Sequence, residues 1–286
     1  VSDTHSAAAK GWYADPFGRF RYRFWDGERW TGYAANDQVQ WDDAEPANAA
    51  IADLDVAPPK RGLVTAFIGY FLGLAGGLGM NRLLHHLDYP GGRTVALILS
   101  QACLWAGLVG ACVIVSRRRG TGSLRRDFDW RFRRIDVGLG IAGAIAGRIV
   151  GALVILPLPM PFGHPRAPER DVFDRSAQGA LGWIVLIAIV CIGAPIIEEL
   201  FFRGLMQPRL VQLFGAAGGI PVTAVLFGAA HLSNWQGSIT FIYATSIAGG
   251  GLVLCLMRHV TGRLGPSTWA HFWFNAQAVA VVALLR

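Results

Sequence analysis

Long charged stretches and paired cysteines are both scarce in this chain, and each absence removes a class of protein. Only 16% of its 286 residues are charged, against 53% hydrophobic, a balance too apolar for an ordinary soluble domain. Its four cysteines, Cys103, Cys112, Cys191 and Cys255, stand singly inside apolar runs. No CxxC spacing is present, so neither a disulfide framework nor a cysteine metal site is indicated, and they read as small buried hydrophobes. The first sixty residues contain no apolar core behind a basic start, so no cleaved leader is expected and the N-terminus is expected to stay in the cytoplasm.

What is present is a set of long apolar runs. Each needs about twenty residues to cross a bilayer. They fall at 62–81, 94–115, 135–157, 179–202, 217–233, 238–257 and 267–285. The expected fold is therefore an all-α polytopic membrane protein of about seven transmembrane helices. The net charge of +7 does not indicate nucleic acid, because the arginines gather between spans. Arg117, Arg118, Arg119, Arg125, Arg126, Arg131, Arg133 and Arg134 follow the second span; Arg258, His259 and Arg263 follow the sixth. Simple alternation puts both clusters on one side, and cytoplasmic loops are the basic ones. A multi-pass protein of the inner (plasma) membrane with a cytoplasmic N-terminus is expected, its partners being the lipid bilayer and no nucleic acid.

Ahead of the spans, residues 11–33 read GWYADPFGRFRYRFWDGERWTGY. Phe20, Tyr22 and Phe24 alternate with Arg19, Arg21 and Arg23, a period of two, and Asp26-Gly27 supplies a turn, which predicts a small β-hairpin module over 11–36. Trp12, Tyr13, Asp15, Pro16, Gly18, Trp25, Asp26, Gly27, Trp30 and Thr31 make this stretch resemble a short tryptophan-rich domain of unknown function that precedes membrane spans in many bacterial proteins. Residues 1–10 are expected to be a disordered start and 37–61 a linker, with 62–134 holding two accessory spans and the basic loop. A proline-rich segment over 158–178 is the longest loop expected on the outer face.

Three polar signatures interrupt the later spans. Glu198-Glu199 and Arg203 close an apolar run, and an ionisable group at membrane depth costs about 2.5–3.5 kcal/mol. Glu199 and Arg203 stand at i, i+4 and can pair. Glu198 is rotated about 100° away and has no local partner, as a general base requires. The plainer reading makes all three the polar end of a helix. Phe227 and His231 form the second signature, on a helix rich in small residues, where a lone histidine is ordinarily a satisfied packing residue. His271 and Asn275, at i, i+4, can aim at one point or simply bond a neighbouring helix. The three converge only if the His231 helix begins below the membrane plane or the fourth span runs on past Arg203 through residues 205–214; the latter is expected, with Pro208 as a bend.

Taken in order, EExxxR, FxxxH and HxxxN over residues 135–286 resemble the CaaX-protease and bacteriocin-processing (CPBP, or Abi) family of intramembrane endopeptidases. The resemblance implies that Glu198 activates water, that His231 orients it and moves protons, and that His271 and Asn275 stabilise an oxyanion. Glu199, Arg203 and Phe227 are implied as supporting residues. The substrate would be a peptide or a membrane-protein segment, reached from the cytoplasmic side. A metal-free mechanism is favoured; if zinc is present, as in the older description of this family as metalloproteases, Glu198, His231 and His271 would be its ligands. The competing readings are a non-catalytic scaffold or bacteriocin-immunity protein of the same fold, and a transporter whose intramembrane charges line a path.

Overall fold

A computed structural model describes residues 10–16, 20–36, 39–42, 59–87, 92–158, 179–232 and 238–284. The expected disordered start, apart from residue 10, most of the expected linker and almost all of the proline-rich loop lie outside these. The chain divides into two units, Val1–Pro58 and Pro59–Arg286.

In the first unit, β1 (Gly11–Ala14), β2 (Tyr22–Trp25), β3 (Trp30–Asn36) and β4 (Val39–Asp42) pair in chain order as an antiparallel meander. The expected hairpin is its centre. Gly27 takes φ 107°, and the Asp26 carboxylate accepts the backbone N–H groups of Glu28 and Arg29, each at 2.8 Å. Those two donors hold the Asp26 carboxyl below its ordinary range. Trp25 and Trp30 face each other across the register, buried and edge to face at 5.3 Å. Arg23 is fully buried because Asp15 takes its Nε at 2.8 Å and the Thr31 carbonyl its Nη1 at 3.0 Å. β4 falls in the stretch read as linker. Its alternation of Val39 and Trp41 with Gln40 and Asp42 is a strand pattern that the surrounding Ala, Asp and Pro residues obscure.

The second unit is helical: α1 (Pro59–His86), α2 (Gly92–Arg119), the short α3 (Leu124–Asp127), α4 (Ile135–Ile155), α5 (Gly179–Ile187), α6 (Ala194–Glu198), α7 (Gln207–Ala229), α8 (Ser238–Thr261) and α9 (Gly265–Leu284). Two π-helical stretches, Ala188–Gly193 and Glu199–Met206, join α5, α6 and α7 into one run of 51 residues. The run continues through Pro208, as expected from convergence of the motifs, but the reversal comes at Gly215 (φ 68°, ψ 173°). There the chain doubles back. A Cβ on Gly219 would lie 2.4 Å from the Val211 nitrogen, whereas a straight helix would separate those residues by about 12 Å. Among the described residues, five helices are long and apolar enough to cross a membrane. Splitting the long run at Gly215 and adding the more polar α9 gives the seven rods expected, so this is a multi-pass membrane protein.

Packing between rods relies on small residues. A Cβ on Gly107 of α2 would lie 2.2 Å from the Gly69 carbonyl of α1, so these backbones touch. On α4 the buried residues are mostly glycines, Gly140, Gly143, Gly147 and Gly151, while Ile141, Ile145 and Ile149 point outward. The two basic turns meet at one end of the bundle. Asp129, with φ 52°, takes Arg258 at 2.9 Å, and Asp136 takes Arg263 at 2.6 Å. The Leu264 and Gly265 N–H groups donate to the carbonyls of Asp129 and Arg131. The loop before α4 thus fixes the first residues of α9.

Candidate functional site

Two prolines organise the long helix. At the end of the first π stretch the Ala194 N–H donates to the Ile189 carbonyl, five residues back. The next carbonyl in that register, Val190, would need an N–H from Pro195, which has none. It accepts Asn275 Nδ2 instead, at 2.8 Å. The second stretch ends in the same way: Gln207 donates to Phe202, and Pro208 follows. Glu198 closes α6, the short segment between the two stretches, and Glu199 opens the second stretch. Such bulges commonly mark functional sites.

Glu199 and Arg203 are both fully buried and pair at 2.9 Å, as their spacing predicts. Arg203 Nη2 also donates to the Gly251 carbonyl at 3.1 Å, and the guanidinium lies 4.1 Å over the Phe227 ring. Gln207, one turn on, donates to the Cys255 carbonyl at 2.9 Å. This polar seam fastens the long helix to α8.

The same Glu199 oxygen stands 3.1 Å from His271 Nδ1. Because it is an acceptor, Nδ1 carries the proton, and His271 Nε2 is left facing Glu198 Oε2 at 3.9 Å. That gap is too long for a hydrogen bond and short enough for one water to bond both. Glu198 Oε2 is buried with no hydrogen-bond partner among the described residues. His231 is set by a second device: its Nδ1 lies 2.8 Å from the Phe227 carbonyl, so Nδ1 donates and Nε2 keeps its lone pair. Phe227 separates the two imidazoles, edge on to His231 at 5.1 Å and to His271 at 5.5 Å.

Six of the seven residues singled out in the sequence are therefore linked by direct contacts, and the seventh, Asn275, stands one helical turn from His271. Glu198, Glu199 and His271 form the polar centre, with Arg203 behind Glu199 and Phe227 between the histidines. Asn275 joins through Val190, which leaves its second amide hydrogen unassigned. Among the described residues no group of three His, Cys, Asp or Glu side chains is arranged to hold a metal ion. Sequence reasoning missed the Val190 carbonyl, although Gly193-Ala194-Pro195 inside an apolar run was a visible helix irregularity. It also missed Trp105 of α2, whose ring lies against the bare face of Gly193, where a Cβ would come within 2.1 Å.

Fold and site together define a multi-pass membrane protein with a carboxylate–imidazole centre built into an irregular helix. Residues 180–277 match the Rce1-like family, type II CAAX prenyl endopeptidases, and residues 11–49 match DUF2510, a protein of unknown function. The first match contains Glu198, Glu199, Arg203, Phe227, His231, His271 and Asn275; Trp105 and the helices α1, α2 and α4 lie outside it. No curated protein and no solved structure matches the chain.

Proposed function

We propose that this protein is an intramembrane endopeptidase that hydrolyses a peptide bond with water activated by Glu198. The observation that carries the reading is the Glu198 carboxylate, its Oε2 buried without a partner among the described residues and 3.9 Å from His271 Nε2, inside the stretch that matches the endopeptidase family. Glu198 takes one proton from the water as its oxygen bonds the carbonyl carbon. His231, with Nε2 unprotonated, takes that proton on from the carboxyl group.

The developing oxyanion is met by His271 Nε2 and the second N–H of Asn275. Nδ1 of His271 already donates to Glu199, so Nε2 donates to the oxyanion from a ring that carries both protons. The C–N bond then breaks, and His231 passes its proton to the leaving amine. Access is from the cytoplasmic side, a reading supported by the basic residues gathered at Arg117–Arg134 and Arg258–Arg263. The substrate is a peptide or membrane-protein segment, and the membrane is the plasma membrane.

The test uses the purified chain in proteoliposomes, with a prenylated CaaX-terminated peptide and a set of membrane-embedded peptides as probes. Mass spectrometry of the products should show cleavage by wild type and none by Glu198→Gln or His231→Ala, with thermal unfolding unchanged. Wild-type cleavage by either variant contradicts the reading. So does solute flux or partner binding that persists in both variants without any proteolysis.

A further inference from the structure

Arg148 stands well inside α4, about 20 Å along the axis from Ile135 and so within the apolar stretch of that span. A cation held at that depth is costly and is kept where it has a partner and a task. Its partner is α9. Nη2 donates to the Phe274 carbonyl at 2.7 Å, Nε donates to Gln277 Oε1 at 3.4 Å, and the guanidinium lies 3.8 Å over the Phe274 ring. That ring is seated on two glycines: a Cβ on Gly147, next to Arg148 on α4, would come within 3.6 Å of it, and one on Gly250 of α8 within 3.2 Å. Phe274 is thus gripped by ring and backbone at once.

Phe274 adjoins Asn275 and lies one turn beyond His271. Those two side chains are held at their tips, His271 by Glu199 at 3.1 Å and Asn275 by the Val190 carbonyl at 2.8 Å. A bond at the tip restrains the tip alone, and the helix can still roll beneath it by rotation about the side-chain torsions. Arg148 bonds the helix itself, on a backbone carbonyl that has two lone pairs to offer. The start of α9 is already tied to the turn before α4 by Asp136–Arg263 and by the Gly265 N–H on the Arg131 carbonyl. A second fixed point at Phe274 removes the freedom that one point leaves, which is roll about the axis. Side-chain atoms lie about 6 Å from a helix axis, so a roll of about 10° moves them about 1 Å. We propose that Arg148 is a positioning residue for the reaction: it holds α9 at the roll that aims the second N–H of Asn275 at the oxyanion. This rests on the endopeptidase reading, and it brings α4, which lies outside the family match, into the working of the site.

Arg148→Met keeps the apolar stem and removes every donor. A displacement of about 1 Å can cost about 10²-fold, so on a prenylated CaaX-terminated peptide in proteoliposomes kcat should fall about 10–10²-fold with KM within about twofold. In an Asn275→Ala background the same substitution should lower kcat no more than about twofold, because the group it aims is gone; a merely structural role costs the same factor in both backgrounds. A substrate-free arm reads the roll of α9 from the ¹⁵N signals of Trp269 and Trp273, by oriented solid-state NMR in aligned bilayers. That roll should shift or spread by about 10° or more in Arg148→Met, while Ile149→Ala, on the outward face of α4, changes neither the roll nor kcat. An unchanged roll, a wild-type kcat, or equal losses with and without Asn275 each overturn the proposal. Failure of the endopeptidase reading looks different: Glu198→Gln then cleaves as wild type does, or the wild-type chain does not cleave, while the roll still shifts in Arg148→Met.

Discussion

Replacing Pro195 with alanine should make the protein more stable and less active. The Val190 carbonyl is open to Asn275 only because residue 195 has no N–H. Alanine supplies one. In the π register the new N–H at position 195 would donate to Val190, and in a relaxed α register Ala194 would do so; in either case a backbone donor displaces the Asn275 amide. A proline in a helix interior costs about 3 kcal/mol relative to alanine, and with the π stretch relieving a small part of its clash about 2.5 kcal/mol of that remains. Against the remaining gain stand about 0.4–1 kcal/mol of unfolded-state entropy lost with proline and about 1 kcal/mol for the Asn275 hydrogen bond. The net is a stabilisation of about 0.5–1 kcal/mol. Asn275, released, no longer holds its second N–H on the oxyanion, and loss of one such donor typically lowers turnover about 10²–10³-fold. The assay is a thermal melt in detergent beside cleavage in proteoliposomes. A variant that melts lower, or that cleaves at the wild-type rate, refutes the assignment of Pro195 as the residue that frees Val190.

Other substitutions probe the remaining links. Arg203→Met leaves Glu199 as an uncompensated buried charge and should cost about 3–5 kcal/mol, whereas Glu199→Gln with Arg203→Met together should cost markedly less, measured as Tm for the single and double variants. Gly193→Ala forces the Trp105 ring off the long helix and should destabilise by about 1–3 kcal/mol; pairing it with Trp105→Leu should restore most of the loss. Asp129→Asn weakens the contact to Arg258 at the end of α8, next to the Leu264 N–H that the Asp129 carbonyl holds ahead of α9, and should lower kcat with only a small fall in Tm, measured by cleavage beside a thermal melt. In the N-terminal sheet the folded Asp26 carboxyl titrates below its unfolded value of about 3.9. Its contribution is therefore complete above that value and lost as pH falls through the lower folded one, so the module should melt more easily at about pH 3 than at about pH 5, and Asp26→Ala should flatten that difference.

The parts of the site legible in the sequence were those set by helical spacing. Glu199–Arg203 and His271–Asn275 share faces because i, i+4 residues do, and Glu198 is left over by the same geometry. Apolar run lengths likewise located the rods, and the need for convergence foretold the continuation past Arg203. Contacts made by backbone atoms were hidden. A π register depends on which carbonyl a proline leaves vacant, and the Val190–Asn275 bond joins residues 85 apart in the chain. The bend expected at Pro208 occurs at Gly215, whose φ of 68° is open to glycine and strained for most side chains. The Asp129–Arg258 and Asp136–Arg263 pairs escaped notice because in the sequence those arginines read as topology alone. β4 was lost in a stretch whose composition read as linker.

The most direct measurement is a comparison of wild type and Glu198→Gln, reconstituted at equal amounts and shown to unfold at the same temperature, on one prenylated CaaX-terminated peptide with products read by mass spectrometry. The account predicts a single cut by wild type and a loss of at least about 10³-fold in the variant, which keeps the shape of the side chain and loses the base. Cleavage by Glu198→Gln at the wild-type rate would contradict it.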